Sequence, residues 1–158
     1  MCSSDLAEAF ALICASRIGT AETGRCCGIL ARAAGLAGIC GGQFMDLAGD
    51  NDSAESLSET ELRKTAALMG AACAMGAAAA GADEKTVDAA DAFGMALGMA
   101  FQCRDDLLDG DGFCALLGRE QCDALAKMYT EEALRLLRTF SDTAFLEELT
   151  RSLGDRNA

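Results

Sequence analysis

The 158-residue chain contains no proline, no histidine and no tryptophan, and only one tyrosine. Without proline nothing forces a helix to stop, and with few β-branched residues nothing favours a sheet. Alanine, leucine, methionine and glutamate fill the positions instead, and these are good helix formers. One domain with one buried core suits this length, and an all-α bundle is the expected architecture. The absence of histidine removes imidazole bases, histidine relays and histidine-ligated zinc from consideration. Cations are scarce as well: 13 Lys and Arg stand against 25 Asp and Glu, a net charge of −12. A nucleic-acid surface is excluded, because phosphate contacts need clustered basic residues. An acidic chain can still hold phosphates if divalent cations bridge the like charges.

Cysteine is the abundant exception, with nine copies. The number is odd, there is no C-x-x-C pair, and no secretory signal is legible. Cys14, Cys40, Cys73 and Cys103 fall in helical apolar patterns. They are expected to be small buried thiols in a reducing cytoplasm, not disulfides or zinc ligands. The longest uncharged run, "AALMGAACAMGAAAAGA" (66–82), has the length of a thin-bilayer span. Its alanine and glycine are weakly hydrophobic, so it reads as a close-packed helix of a protein core and not as a membrane span.

Periodicity and breakers set the element map. Helices are expected over 7–18, ended by Gly19, and over 20–50 as one long helix containing Gly35, Gly38, Gly41 and Gly42. Glycine costs a helix about 1 kcal/mol relative to alanine, so such a run implies close approach of another backbone or a ligand. Residues 51–59 read as a loop, with Ser58 and Glu61 as a capping box for a helix over 59–81. Asp83 caps a further helix that runs to about Asp109, "GDG" breaks the chain, and two amphipathic helices over 113–139 and 142–153 close it.

Polar residues stand out where the apolar helices end. Gln102, Asp105, Asp106 and Asp109 follow i, i+3, i+4, i+7 in "AFQCRDDLLDGD". Three carboxylates along one helix edge repel unless they are solvated or share a cation. On spacing alone the stripe fits a solvated helix end and a Mg²⁺ site equally well. Gln43 and Asp46 stand at i, i+3 after Gly41-Gly42, with Asp50 one turn beyond. That pair also reads as ordinary helix-end solvation. Lys64 and Thr65 lie near the start of the helix after the loop, where an anion such as diphosphate would be favoured, but taken alone Lys64 reads as an ordinary exposed lysine.

Taken in order, "GGQFMDLAGD", "LRKTAALMGAACAMGAAAAGA" and "DAFGMALGMAFQCRDDLLD" resemble the trans-polyprenyl diphosphate synthases, the farnesyl and geranylgeranyl diphosphate synthase family. That family carries G-G-Q-x-x-D, K-T and F-Q-x-x-D-D-x-x-D in this order and at about this spacing. The resemblance covers roughly residues 9–140. It implies the all-α isoprenoid (terpenoid) synthase bundle and a Mg²⁺-dependent prenyltransferase. The implied reaction joins isopentenyl diphosphate head-to-tail to an allylic diphosphate (farnesyl, geranyl or geranylgeranyl products), in a protein that is usually a homodimer.

Residue roles come with the resemblance. Asp105, Asp106 and Asp109 would form the second aspartate-rich motif and hold Mg²⁺, Asp105 directly. Lys64 would contact the allylic diphosphate. Thr65, Gln102 and Gln43 would stabilise the allylic cation by their dipoles, and Asp46 would support Lys64 or Gln43. Gly70, Ala74 and Gly94 would leave room for the prenyl tail.

The pattern also departs from the family. Its first D-D-x-x-D and the arginines after it have no counterpart here, and the lysine-bearing loop expected after Asp109 is cut short. Residues 1–6, "MCSSDL", are expected to be non-native, since Cys-Ser-Ser-Asp-Leu is the in-frame translation of a common sequencing adapter; 7–158 would then be an N-terminally truncated family domain. The chain is expected to be inactive alone. The alternative is a non-catalytic small or degenerate subunit that binds and modulates a complete prenyl synthase.

Overall fold

The computed structural model describes the backbone of residues 3–49 and 51–154, and side chains from residue 6 onward within those ranges. Residues 1, 2, Asp50 and 155–158 lie outside the described residues. All regular structure described is helical: α1 (Ser3–Ala15), α2 (Thr20–Ala34), α3 (Ile39–Ala48), α4 (Ala54–Glu61), a π-helical turn (Leu62–Ala66), α5 (Ala67–Ala79), α6 (Glu84–Asp109), α7 (Gly112–Leu117), α8 (Arg119–Leu137) and α9 (Ala144–Gly154).

The 26-residue α6 is the axis of the bundle, flanked by α5 on one side and α8 on the other. Thr86 N–H donates to Asp83 Oδ1 at 2.8 Å, the N-cap expected from sequence. Phe93, Ala96 and Leu97 pack with Ala133 and Leu137 of α8. Met99, Cys103 and Leu107 pack with Phe113, Cys122 and Ala126. Towards α5 there is no room for side chains. A Cβ added at Gly94 would overlap Met69 O and stand 2.7 Å from Gly70 Cα; one at Gly98 would stand 2.7 Å from Ala66 Cα. The two backbones touch, and Gly70 and Gly94 are consumed by that contact instead of leaving space for a ligand as the resemblance implied.

Three boundaries differ from the sequence reading. The helix expected over 20–50 breaks between Ala34 and Ile39, where the backbones of Gly35 and Gly38 turn extended and irregular. The segment Thr20–Ala48 is long and apolar enough, by length and composition alone, to cross a membrane. The break divides it into helices of 15 and 10 residues, each shorter than the ~20 a span needs. Residues 54–61 are helical, not loop. Their capping box is Ser53 with Ser56: Ser56 N–H donates to Ser53 Oγ at 3.1 Å and Ser53 N–H to Ser56 Oγ at 3.2 Å. The helix expected over 113–139 is split at Gly118, whose φ of +85° no ordinary helical residue adopts.

The thiols divide as well. Cys103 is buried, Cys73 is half-buried, and Cys14 and Cys40 are exposed, against the expectation that all four are core. Short stretches of alanine and cysteine carry too little contrast to fix which face turns inward.

Candidate functional site

Three separated motifs meet at the C-terminal end of α6. A cavity of about 280 Å³ is lined by Asp46 from α3, Lys64 from the π-helical turn, and Gln102, Asp105, Asp106 and Asp109 from α6. Asn51, Glu61, Asp111 and Gly112 complete the polar wall. Glycine makes the first convergence possible. A Cβ on Gly42 would overlap Lys64 N and stand 2.8 Å from Lys64 Cα, so only glycine lets α3 lie against this backbone. Asp46, one turn further along α3, is thereby brought to Lys64. Gln43 projects from the exposed side of α3 and is not part of the cavity lining.

Lys64 Nζ stands 2.9 Å from Asp46 Oδ2. That hydrogen bond, outweighing burial, raises the pKa of the ammonium above its ordinary value and keeps it charged. Asp46 is itself held: Asn51 Nδ2 lies 3.4 Å from its other oxygen, and Thr60 Oγ1 donates to Asn51 Oδ1 at 2.8 Å. Asp46 therefore supports Lys64, not Gln43. The turn carrying Lys64 and Thr65 is wound as a π-helix, with Ala67 N–H donating to Leu62 O. Such single wide turns are frequent where a helix must aim side chains at a site. No residue pattern in the sequence announces this one.

The acid stripe does not act as a unit. Asp106 is turned inward and only 3 % exposed. Its Oδ1 accepts from Gln102 Nε2 and its Oδ2 from Phe113 N, each at 2.8 Å. Burial pushes its pKa up, and the two donors oppose the rise. Both oxygens are committed to fixing α7 and Gln102, which parts Asp106 from the metal role the resemblance gave it. The short connection is the cause: α7 begins two residues after Gly110 and delivers its amide straight onto Asp106.

Gly112 is required there, with φ +45° and no room for a Cβ against the Asp106 carboxylate. Gly112→Ala is expected to cost about 2 kcal/mol or more, from the left-handed backbone and the displaced buried carboxylate. A urea midpoint unchanged from wild type would show that Asp106 does not hold α7.

Asp105 and Asp109 remain on the cavity wall, one turn apart. Among the described residues no group of three or more His, Cys, Asp or Glu converges tightly enough to hold a metal ion by itself. The donor set still fits Mg²⁺ shared with a ligand. Asp46, Asp105, Asp109 and Asp111 line the cavity against one ammonium, Lys64. Such an all-oxygen, net-negative wall suits a hard cation that takes one or two carboxylates and completes its shell from phosphate and water.

Thr65 stands behind the wall, bonded to two of its residues. Its Oγ1 stands 3.0 Å from Gln102 Oε1 and 2.9 Å from Glu61 Oε2. Glu61, Asn51 and Asp111 are site residues that motif reading does not mark. Only the i, i+4 spacing of Glu61 and Thr65 hints at the first of them.

A second cavity of about 450 Å³ lies between α2, α5 and α6. Ala67 and Ala71 line it at i+3 and i+7 from Lys64, and Met95 at i−7 from Gln102, so it continues the faces that carry the first. Ala74 shares its wall with Gly24, Gly28 and Ala33. Here, not at Gly70 or Gly94, the small residues leave space.

A family model described as polyprenyl synthetase matches residues 1–154. The farnesyl diphosphate synthase of Escherichia coli (strain K12) is 40% identical over 95 residues, 58% of this chain and 32% of that protein. An FPP/GFPP synthase from Zymomonas mobilis superposes with a TM-score of 0.83 at 30% identity, over 93% of this chain and 57% of that one. The geranyltransferase from Helicobacter pylori, solved in complex with magnesium and isoprenyl diphosphate, superposes with a TM-score of 0.78 at 24% identity, a likeness of fold, over 93% of this chain and 55% of that one. The chain thus spans less than two thirds of the relatives it matches. With the motifs in order, the helical bundle shared and the family model matched over nearly the whole chain, the protein belongs to the polyprenyl synthetase family.

Proposed function

We propose that this chain is the diphosphate-binding part of a Mg²⁺-dependent prenyltransferase that joins isopentenyl diphosphate head-to-tail to an allylic diphosphate. The observation that carries this reading is the meeting of the Lys64–Asp46 pair, Gln102, Asp105 and Asp109 around one cavity of about 280 Å³. Asp105 and Asp109 would hold Mg²⁺, which when bound supplies positive charge to a leaving diphosphate. Lys64 binds a diphosphate oxygen with an ammonium that Asp46 keeps charged and aimed. Thr65 and Gln102, fixed by hydrogen bonds, set their oxygens beside the reacting carbon and favour positive charge there. The second cavity, lined by Ala67, Ala71 and Met95, takes the apolar tail and keeps water from it. Its rim also carries Arg25, Arg32, Asp88 and Asp91.

We propose further that the chain alone does not turn over, because among the described residues only one acid-rich wall lines the cavity that would meet the diphosphate. The second reading, a non-catalytic subunit that modulates a complete synthase, draws support from Leu36, Phe44 and Leu47, which are 73–81 % exposed around α3. Both are tested by incubating the chain with Mg²⁺, an allylic diphosphate and labelled isopentenyl diphosphate, alone and mixed with a full-length synthase. No elongation alone is expected. Unchanged product lengths in the mixture favour the first reading and shifted lengths the second. Elongation by the chain alone would refute the proposal of inactivity.

A further inference from the structure

Glu61 is a buried carboxylate, 5 % exposed, for which the reading above has no use. It ends a chain of polar groups. Glu61 Oε2 stands 2.9 Å from Thr65 Oγ1, Thr65 Oγ1 stands 3.0 Å from Gln102 Oε1, and Gln102 Nε2 stands 2.8 Å from Asp106 Oδ1. Three links therefore join two carboxylates through one hydroxyl and one amide, and each link needs one hydrogen. The amide, with nitrogen towards one neighbour and oxygen towards the other, supplies one. The hydroxyl has a single hydrogen and supplies one more. The third hydrogen must sit on a carboxylate at one end of the chain.

The surroundings decide which end. Asp106 accepts a second N–H, from Phe113 at 2.8 Å, and two N–H donors favour its charged form. Glu61 has no such support. Lys64 on its own turn is 4.0 Å away and is engaged by Asp46 at 2.9 Å. The other charged groups facing it are Asp46 from α3 and Asp106 from α6, both negative. Burial is the largest influence on Glu61 and pushes its pKa up; Thr65 and Lys64 oppose it, and the two aspartates add to it.

We propose that Glu61 is held as a neutral carboxylic acid that donates to Thr65, so that Thr65 donates to Gln102 and Gln102 to Asp106. Glu61 is then a positioning residue. Its proton fixes the direction of every hydrogen in the chain and leaves the Thr65 and Gln102 oxygens oriented before any ligand arrives. The functional sense of this rests on the proposed diphosphate site, but the location of the proton does not.

The test uses the full 158-residue chain. With ¹³C-labelled glutamate side chains, and Glu61→Gln to assign the resonance, Glu61 is expected to keep its protonated-acid shift at neutral pH while the exposed glutamates are ionised. Titration together with the exposed glutamates would overturn the proposal. Thermal melts give an independent reading. A pKa raised on folding means that the stability from Glu61 is full below the unfolded value, about 4.5, and is lost as pH rises through the folded value. Glu61→Gln keeps the donor and cannot ionise. Its Tm should equal wild type in mild acid and exceed it by about 7 °C or more at neutral pH, the shift that a carboxyl still protonated there requires. Glu61→Ala should melt lower than Glu61→Gln at every pH. A Glu61→Gln chain that melts like Glu61→Ala throughout would also overturn the proposal. If wild type fails to bind Mg²⁺-pyrophosphate, the functional reading falls while the NMR result stands. Normal titration of Glu61 removes the proton from the chain and leaves diphosphate binding untouched.

Discussion

Gly94→Val is expected to cost about 3 kcal/mol, enough to unfold a marginal chain at modest urea concentration. The cause is backbone, not side chain. The new Cβ would overlap Met69 O and stand 2.7 Å from Gly70 Cα. Neither atom can swing aside as a flexible side chain could, so α5 must separate from α6. Separation would expose Phe93, Ala96 and Leu97 and pull the π-helical turn away from Gln102. Gly76→Ala is the control: it lies on the exposed side of α5 with nothing within 4 Å of the added Cβ. It should be neutral or stabilise by about 0.5–1 kcal/mol, as alanine does in a helix. Urea midpoints followed by circular dichroism compare the two. A Gly94→Val midpoint equal to wild type would mean that the two backbones are not in contact.

Lys64→Ala is expected to weaken Mg²⁺-dependent pyrophosphate binding about 10- to 100-fold, the loss of one charged hydrogen bond of ~1.5–3 kcal/mol. The fold should survive. The Lys64 and Asp46 side chains are about one third exposed, and pairs that water reaches contribute less than ~1 kcal/mol to stability. Lys64→Arg should restore the charge and much of the affinity, because a guanidinium pairs with phosphate oxygens as well as with Asp46. The ammonium, its pKa raised by Asp46, stays charged through neutral pH, so binding should show no titration from Lys64 there. Calorimetry that finds Lys64→Ala equal to wild type would place the anion elsewhere.

How much of this could be read in the sequence depends on contrast. The large apolar residues of α6, such as Phe93, Leu97 and Leu107, stand out from their neighbours, and Asp83 marks its start, so the helix is legible to within a residue. Between Thr20 and Ala48 the residues are mostly small and apolar, and helix, turn and helix again look alike. The motif glycines signalled a close approach, and Gly42 makes one against Lys64, but its partner lay 22 residues away and outside any local pattern.

The acid stripe illustrates a subtler limit. Successive helical residues are 100° apart, so i, i+3, i+4, i+7 describes a band, not a line. Asp105 and Asp106 sit at opposite edges of that band. Burial took one edge and the cavity took the other, and the amide that claimed Asp106 belongs to α7, across a turn whose geometry only a structure supplies. The proton that Glu61 is proposed to carry is less legible still, because it follows from counting hydrogens along contacts among three helical segments.

The central claim is that Asp105 and Asp109 recruit Mg²⁺ to seat a diphosphate against Lys64. Isothermal titration of pyrophosphate into the chain, with and without Mg²⁺, tests it most directly. Wild type should bind only when Mg²⁺ is present, and Asp105→Asn with Asp109→Asn should weaken that binding about 10-fold or more. Equal binding without Mg²⁺, or a double variant that binds as wild type does, would contradict the account.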